Sequence, residues 1–285
     1  MTKDMLSISE VIEKSTSFLA ARGINSPKCD SEWIISFVLG SSRLELFLNF
    51  DKPLDKEALE RIKRLIILRG TRVPLQHILG NVQFAGITLN CDNRALIPRP
   101  ETEQLVEILI DLLPTSFRGH IVDLGTGSGA IILSLCSALK ESTGIGLDKS
   151  YDAISLAKEN LFLNGLEKQV KIGLFDWNTD PLPRMNIDLI VSNPPYLNIE
   201  EWKTAEKEVR EHDPYDALVS PNGGLQDLLT IATKSTEILK RGSLLAFEVG
   251  AAQALHVKNC LLGEFDVDII NDYHQCPRFI IARKT

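Results

Sequence analysis

The chain has 285 residues, 44% hydrophobic and 24% charged, with a formal net charge of −7; this is the balance of a soluble globular protein with room for a catalytic domain and a small companion. No apolar run reaches the ~18 residues of a membrane span, and an opening that carries Asp4, Glu10 and Glu13 suits neither a signal nor a transit peptide, so a cytoplasmic enzyme is the default expectation. Five scattered cysteines without a C-x-x-C pair and five histidines without H-x-x-x-H spacing argue against a disulfide framework and a zinc site, and no metal is expected.

Residues 1–80 read as all-helical. Ser7-Ile-Ser-Glu10 is a capping box that opens a helix with Ile8, Val11, Ile12, Phe18 and Leu19 at apolar positions and Gly23 at its end. Pro27 sits where a helix tolerates proline, and Trp33, Ile34, Phe37 and Val38 follow at helical spacing up to Gly40. Two more helical stretches fill Ser42–Phe50 and Asp55–Gly70. This part carries 12 basic against 10 acidic residues, whereas residues 81–285 carry 19 against 28. Its basic concentration, Arg61, Lys63, Arg64, Arg69 and Arg72, reads as a solvated helix face, with a docking surface for an acidic partner or RNA as the alternative.

Residues 81–97 switch to strand-like alternation with turn residues in the middle, which predicts a β-hairpin linker. From residue 98 to 285 helix and strand patterns alternate. Candidate strands are Ile121–Leu124, Thr143–Leu147, Val170–Leu174, Ile187–Ser192, Ser243–Val249, Phe265–Ile270 and Arg278–Arg283. The first five have crossover room for parallel pairing and the last two do not, so the last two pair antiparallel. The expected fold is α/β: a seven-stranded, mixed, Rossmann-like sheet that ends in an antiparallel hairpin and resembles that of class I S-adenosylmethionine-dependent methyltransferases, behind a small helical domain.

The run from Ile121 to Leu135 is a buried strand, a glycine-rich turn and an apolar helix. Gly125, Gly127 and Gly129, with Thr126 and Ser128 between them, let the backbone turn sharply against a ligand at a helix N-terminus. The G-x-G-x-G spacing is neither the dinucleotide G-x-G-x-x-G nor a P-loop. S-adenosylmethionine fits better. Asp123 could meet its ammonium group directly or through water, and Asp148, after the next strand, could accept both ribose hydroxyls rather than merely cap a helix. Asp176 and Trp177 suit the amino group and face of adenine, against the plainer reading of Trp177 as a core residue.

Asn193-Pro194-Pro195-Tyr196 falls at the end of the fourth candidate strand, the edge where open α/β sheets bind ligands. An amide nitrogen is hard to alkylate because its lone pair is delocalised into the carbonyl. The Asn193 side-chain oxygen and the Pro194 carbonyl can hold its two N–H bonds, the prolines stiffen the turn, and Tyr196 can lie against the planar group. Positioning then does the work without an obligatory base.

Three stretches, Leu96–Val106 with its Arg-Pro-Glu-Thr-Glu run, Asp123–Gly129, and Asn193–Tyr196, together resemble the peptide chain release factor glutamine methyltransferases (the PrmC/HemK family) over roughly residues 74–285. The resemblance implies methylation of the glutamine side-chain amide (N5) in the Gly-Gly-Gln motif of class-1 release factors, with S-adenosylmethionine as donor. It implies cofactor contacts at Gly125–Gly129, Asp148, Trp177 and Asn193. Asn193, Pro194, Pro195 and Tyr196 would meet the substrate, with Phe84 and Glu101 as weaker candidates for closing the site. Independently of the resemblance, the charge contrast between the two parts suggests that the helical domain docks the partner. Two departures from the family pattern stand out, at Asp213–Leu218 with Asn222–Leu225, and at Gln275-Cys276-Pro277 where a glycine is usual. A monomer that binds neither DNA nor membrane is the default. The rival readings are an amino-methyltransferase acting on adenine or cytosine, for which the acidic catalytic part is poorly charged, and a non-catalytic cofactor-binding scaffold, which an intact tetrad disfavours.

Overall fold

In the computed structural model, which describes residues 6–183 and 185–285, the Ser7 side chain accepts the Glu10 backbone N–H while the Glu10 carboxylate accepts that of Ser7. Helix α1 (Ile8–Ala20) starts there, burying Ile8, Val11, Ile12 and Leu19. Helix α2 (Pro27–Leu39) has proline in its first turn and ends on a left-handed Gly40, φ 61°. Its apolar stripe differs from the sequence reading. Ile34 and Ile35 are fully buried, while Trp33 and Phe37 lie on the open side at 43% and 38% exposure; the Arg43 and Arg61 guanidinium groups lie over their rings. Helices α3 (Arg43–Leu48) and α4 (Lys56–Gly70) follow, with a short α5 (Leu75–Leu79) that the sequence reading did not include.

The basic concentration on α4 is not one face. Arg69 is buried and donates from Nε to Asp30 Oδ2 at 2.7 Å, pinning α4 to α2, and Arg72 donates to the Gly23 carbonyl at 2.8 Å. These helices form one compact unit, Met1–Gly80; Asn81–Thr285 form the other.

The second unit opens with a hairpin, β1 (Asn81–Phe84) and β2 (Ile87–Asn90). Both turn residues have positive φ, Ala85 at 41° and Gly86 at 82°, which suits the twist of a two-residue hairpin. The strand pattern expected as far as residue 97 therefore stops at Asn90. Beyond it Asp92 accepts the Arg94 backbone N–H in a turn, and Arg94 forks between Asp92 and Glu159.

Then come α6 (Pro100–Leu112), β3 (His120–Leu124), α7 (Ala130–Ala138), β4 (Thr143–Asp148), α8 (Tyr151–Leu163), β5 (Val170–Leu174) and β6 (Leu189–Ser192). Short helices α9 (Ile199–Thr204), α10 (Lys207–His212) and the broken turn α11 (Pro221–Gly224) lead to α12 (Gln226–Ile238), β7 (Leu244–Glu248), α13 (Ala254–Leu261), β8 (Phe265–Asn271) and β9 (Pro277–Lys284). The seven strands order β5-β4-β3-β6-β7-β9-β8. The first five run parallel, and β9 is antiparallel to both its neighbours. Strands β6 and β7 are buried at every position, as parallel strands covered on both faces must be. Leu105, Leu109 and Ile132 of α6 and α7 share one apolar core; Leu228, Ile231 and Val257 of α12 and α13 share the other. Among the described residues no helix is long and apolar enough to cross a membrane.

Candidate active site

The order of strands reverses between β3 and β6, the switch point where open α/β sheets leave a crevice. These two strands pair parallel with Leu124 opposite Ser192. Gly125 and Asn193, the next residues of each, therefore emerge side by side at the carboxyl edge. The Ser192 hydroxyl donates to the Leu124 carbonyl at 2.5 Å and locks that register.

Each glycine of the loop has positive φ: 76° at Gly125, 55° at Gly127 and 85° at Gly129. A Cβ on Gly125 would stand 3.4 Å from the Trp177 ring, so the loop packs against that indole because it lacks a side chain. The backbone N–H groups of Gly125 and Thr126 donate to the Leu147 carbonyl at 2.8 and 2.9 Å. Asp148 accepts the Gly127 N–H through Oδ2 and the Ser150 N–H through Oδ1, both at 2.9 Å. Burial raises the Asp148 carboxyl, and these N–H groups oppose the rise. A carboxylate has about four acceptor sites, so these bonds do not exhaust its capacity for a hydroxyl group.

Loop, hairpin and α8 are stitched by Asn160, a fully buried residue on which the sequence reading was silent. Its Nδ2 donates to the carbonyls of Ser128 and Asn90, and its Oδ1 accepts the Asn90 N–H at 2.6 Å. Asp123 lies beneath the loop rather than in its mouth. It is fully buried, accepts the Thr126 hydroxyl at 2.7 Å through Oδ2 and lines neither of the cavities described below. This placement does not offer its carboxylate directly to an ammonium group in either cavity. Burial pushes its carboxyl up to about 7, against the pull of the Thr126 hydroxyl and the Ile132 N–H.

A cavity of about 660 Å³ opens over the loop, lined by Gly125–Ser128, Asp148, Asp176, Trp177, Asn193 and Pro195. This size is typical of a small-molecule site. Trp177 is 3% exposed and packs in the core, its Nε1 donating to Asp227 at 2.7 Å, and it also lines the cavity. Side-chain-free backbone at the turn, a helix start behind it and acids placed for hydroxyl and amino groups fit S-adenosylmethionine.

A second cavity, about 280 Å³, adjoins the first through Leu96, Arg99, Asn193 and Ala217 and is lined further by Glu101, Pro194, Tyr196, Glu248 and Arg278. Asn193 thus faces both. Pro194 lines the second cavity and Pro195 the first. Tyr196 donates from its hydroxyl to Glu248 at 3.0 Å, and its own carbonyl accepts Gln253 Nε2 at 3.0 Å. Burial, then the Glu248 charge, pushes the Tyr196 phenol far up, so it stays a neutral donor. Phe84 is in neither lining. It is buried at 2% in the core with Leu89 and Leu105, so its expected role in closing the site gives way to a structural one.

The family-like segments meet here. Arg99 pairs with Asp213 at 2.5 Å, which ties the approach to α6 to the Asp213–Leu218 stretch. Residues Tyr215–Ala217 make a single 3-10 turn on the cavity wall. Gly224, at φ 86°, passes so close to Tyr196 that a Cβ would fall 2.1 Å from the tyrosine carbonyl oxygen. The partners that sequence reasoning missed are Thr102, Asn160, Glu248 and Arg278. Only Glu248 left a local signal, as the one charge closing the otherwise apolar strand β7.

Comparison with known proteins bears on the family and the fold. Residues 10–80 match the PrmC N-terminal domain and residues 101–213 the methyltransferase small domain. The release factor glutamine methyltransferase of Chlorobaculum tepidum is 34% identical over 281 residues, 95% of each chain. That of Fusobacterium nucleatum is 36% identical over 280 residues, covering 96% of this chain and 78% of its own. Among solved structures, the hMettl16 catalytic domain in complex with an RNA hairpin superposes with a TM-score of 0.58 at 18% identity, covering 83% of this chain and 84% of that one; at this identity the likeness bears on the fold alone. Sequence, sheet order and cavity lead to one assignment: the chain belongs to the release factor glutamine methyltransferase family, S-adenosylmethionine-dependent enzymes of the class I fold.

Proposed function

We propose that this enzyme methylates the side-chain amide nitrogen of the glutamine in the Gly-Gly-Gln motif of class-1 peptide chain release factors. The observation that carries the reading is Asn193 standing at the junction of two cavities, one shaped for the methyl donor and one narrow enough for a side chain. When bound, S-adenosylmethionine supplies a sulfonium methyl as the electrophile. Gly125–Gly129 would cradle its amino-acid end, Asp148 its ribose and Trp177 its adenine.

The protein's task is to present the target nitrogen. Its two N–H bonds would be held by the Asn193 side-chain oxygen and the Pro194 carbonyl, which turns the lone pair towards the donor cavity. Pro195 stiffens the turn and Tyr196 confines the planar amide. A nitrogen carrying a new methyl is acidic enough to release its proton to water, so positioning and fixed dipoles account for the rate. The helical unit 1–80, with residues 81–97 as linker and 98–285 as the catalytic domain, would dock the protein substrate. The same reading carries a cytoplasmic, monomeric enzyme that does not bind DNA.

The test is transfer of labelled methyl to a purified class-1 release factor, to its Gly-Gly-Ala variant, and to tRNA, rRNA and DNA, with Asn193→Ala alongside. Label on the release factor alone, reduced by about 10²-fold or more in Asn193→Ala as for loss of one preorganised contact, is the expected result. Label on nucleic acid would overturn the substrate assignment and leave the fold and cofactor reading standing.

A further inference from the structure

Asn193 can serve as an acceptor only if its amide is held the right way round. An asparagine side chain has two nearly isosteric orientations, one presenting C=O and one presenting NH2. If NH2 faced the second cavity, donor would meet donor at the target amide. Something must choose.

The choice is written in a buried chain of three hydrogen bonds. Asn193 Nδ2 lies 3.0 Å from Thr102 Oγ1. Thr102 Oγ1 lies 2.6 Å from Glu248 Oε2, and the Tyr196 hydroxyl lies 3.0 Å from Glu248 Oε1. Thr102 is 5% and Glu248 2% exposed, so solvent does not compete. Burial raises the Glu248 carboxyl, while the Thr102 and Tyr196 hydroxyls and the Arg278 guanidinium favour its ionised form, and in that form a carboxylate only accepts. The Thr102 hydroxyl has a single hydrogen, and a carboxylate at 2.6 Å takes it as a short, charge-assisted bond. Towards Asn193 the same oxygen can then only accept. It must meet NH2, which leaves Oδ1 without a protein donor among the described residues and available to the cavities that Asn193 lines.

We propose that Glu248 is a positioning residue: by taking the hydrogen of the Thr102 hydroxyl it makes Thr102 an obligate acceptor for Asn193, and so fixes the Asn193 amide with its carbonyl oxygen towards the substrate. The fold brings the three together from distant parts of the chain. Asn193 directly follows β6 and Glu248 ends the adjacent parallel strand β7, with Ser192 opposite Phe247, and Thr102 hangs from the first turn of α6. The Tyr196 hydroxyl occupies the other carboxylate oxygen, so the amide clamp and the ring beside it are referred to one buried charge.

The inference rests on the amide-methylation reading, so its test has one arm that needs no substrate. Glu248→Gln keeps the shape but can turn an NH2 towards Thr102, which frees the threonine hydrogen to donate to Asn193. Thr102→Val removes the hydroxyl at constant volume, and Thr102→Ser restores it. In full-length enzyme with 15N-labelled asparagine, the Asn193 side-chain NH2 should be protected from solvent exchange in the wild type and Thr102→Ser, and unprotected in Glu248→Gln and Thr102→Val. With release factor as substrate, kcat should fall about 10- to 100-fold in both of those variants, as for loss of a preorganised contact. KM for S-adenosylmethionine should stay within about threefold. The double variant should lose no more than the worse single one, since both break one chain. Thr102→Ser should recover turnover to within about threefold of wild type. Unchanged protection in Glu248→Gln and Thr102→Val, or additive losses in the double variant, would overturn the proposal. Lost protection in an enzyme that does not label release factor would leave the relay intact and remove the substrate reading instead.

Discussion

At Gln275 the backbone sits at φ 63°, a left-handed conformation in a residue with an exposed side chain. Its N–H donates to the Asp272 carbonyl in the turn between β8 and β9, so the turn holds this conformation against the clash of Cβ with its own backbone, worth ~1–2 kcal/mol. Gln275→Gly relieves that strain and pays part of it back as unfolded-chain entropy. The expected result is a gain of about 0.5–1 kcal/mol in urea unfolding with turnover unaltered; a loss of stability would show that the side chain matters. The departure from the family pattern was legible in the sequence, but its strain was not, because φ depends on the turn. Asp123 makes the same point with the sign of a charge. Its carboxyl rises from 3.8 to about 7 in the folded chain, so between those values the native state binds more protons than the unfolded one. Its contribution to stability is complete below pH 3.8 and is lost as pH rises through about 7. Asp123→Asn cannot ionise, so its stability relative to wild type should climb across that window, with the carboxyls common to both proteins cancelling in the difference. Parallel curves of urea midpoint against pH would refute the assignment.

Among elements, those with local chemistry were legible. The Ser7 capping box, Pro27 at a helix start, the glycine loop and the tetrad each announce themselves within a few residues, because caps, turns and close approaches are satisfied by near neighbours. The seven strands could be read from apolar runs and crossover length. The hairpin was overrun because alternation continues past Asn90, while Asp92 ends the pairing by capturing a backbone N–H. Short α5 offers too few residues for a period. Thr102 and Asn160 were invisible for a different reason, and Glu248 showed only as a lone charge ending an apolar strand: their partners lie 32 to 146 residues away, and a hydrogen bond at that range leaves no spacing to read. Asn160 shows what such a residue does for its elements. It holds α8, β2 and the helix start behind the glycine loop through three buried hydrogen bonds. Removing it strands three backbone groups at roughly 1 kcal/mol or more each. Asn160→Ala is expected to lose about 2–4 kcal/mol of stability and to weaken S-adenosylmethionine binding measured by calorimetry. A destabilised protein with unchanged affinity would mean that the loop keeps its shape without the stitch.

The whole molecule joins two units of opposite character, one slightly basic and all-helical, one acidic and carrying all the chemistry described above. A catalytic domain that already houses both cavities needs no helical bundle for the methyl transfer itself, so the bundle's contribution should appear in substrate capture. Its open side suits that task. Trp33, Phe37 and Phe47 are 38–43% exposed, Leu44 and Leu48 more so, and Arg43 and Arg61 lie over two of the rings. Exposed aromatics flanked by arginine are the residue types that dominate protein interfaces. Trp33 and Phe47 are absent from the buried core of the bundle, which is built on Leu19, Ile34, Ile35, Leu46 and Ile62, so replacing them leaves that core whole. In the full chain, Trp33→Ser with Phe47→Ser should raise KM for release factor about tenfold or more, the loss of one interface anchor at ~1.4 kcal/mol or above. The kcat and the affinity for S-adenosylmethionine should stay at their wild-type values, because uniform binding energy is lost and the clamp is untouched. A fall in kcat at constant KM would place these side chains in the chemistry instead of the docking, and no change in either would move the docking surface elsewhere on the molecule.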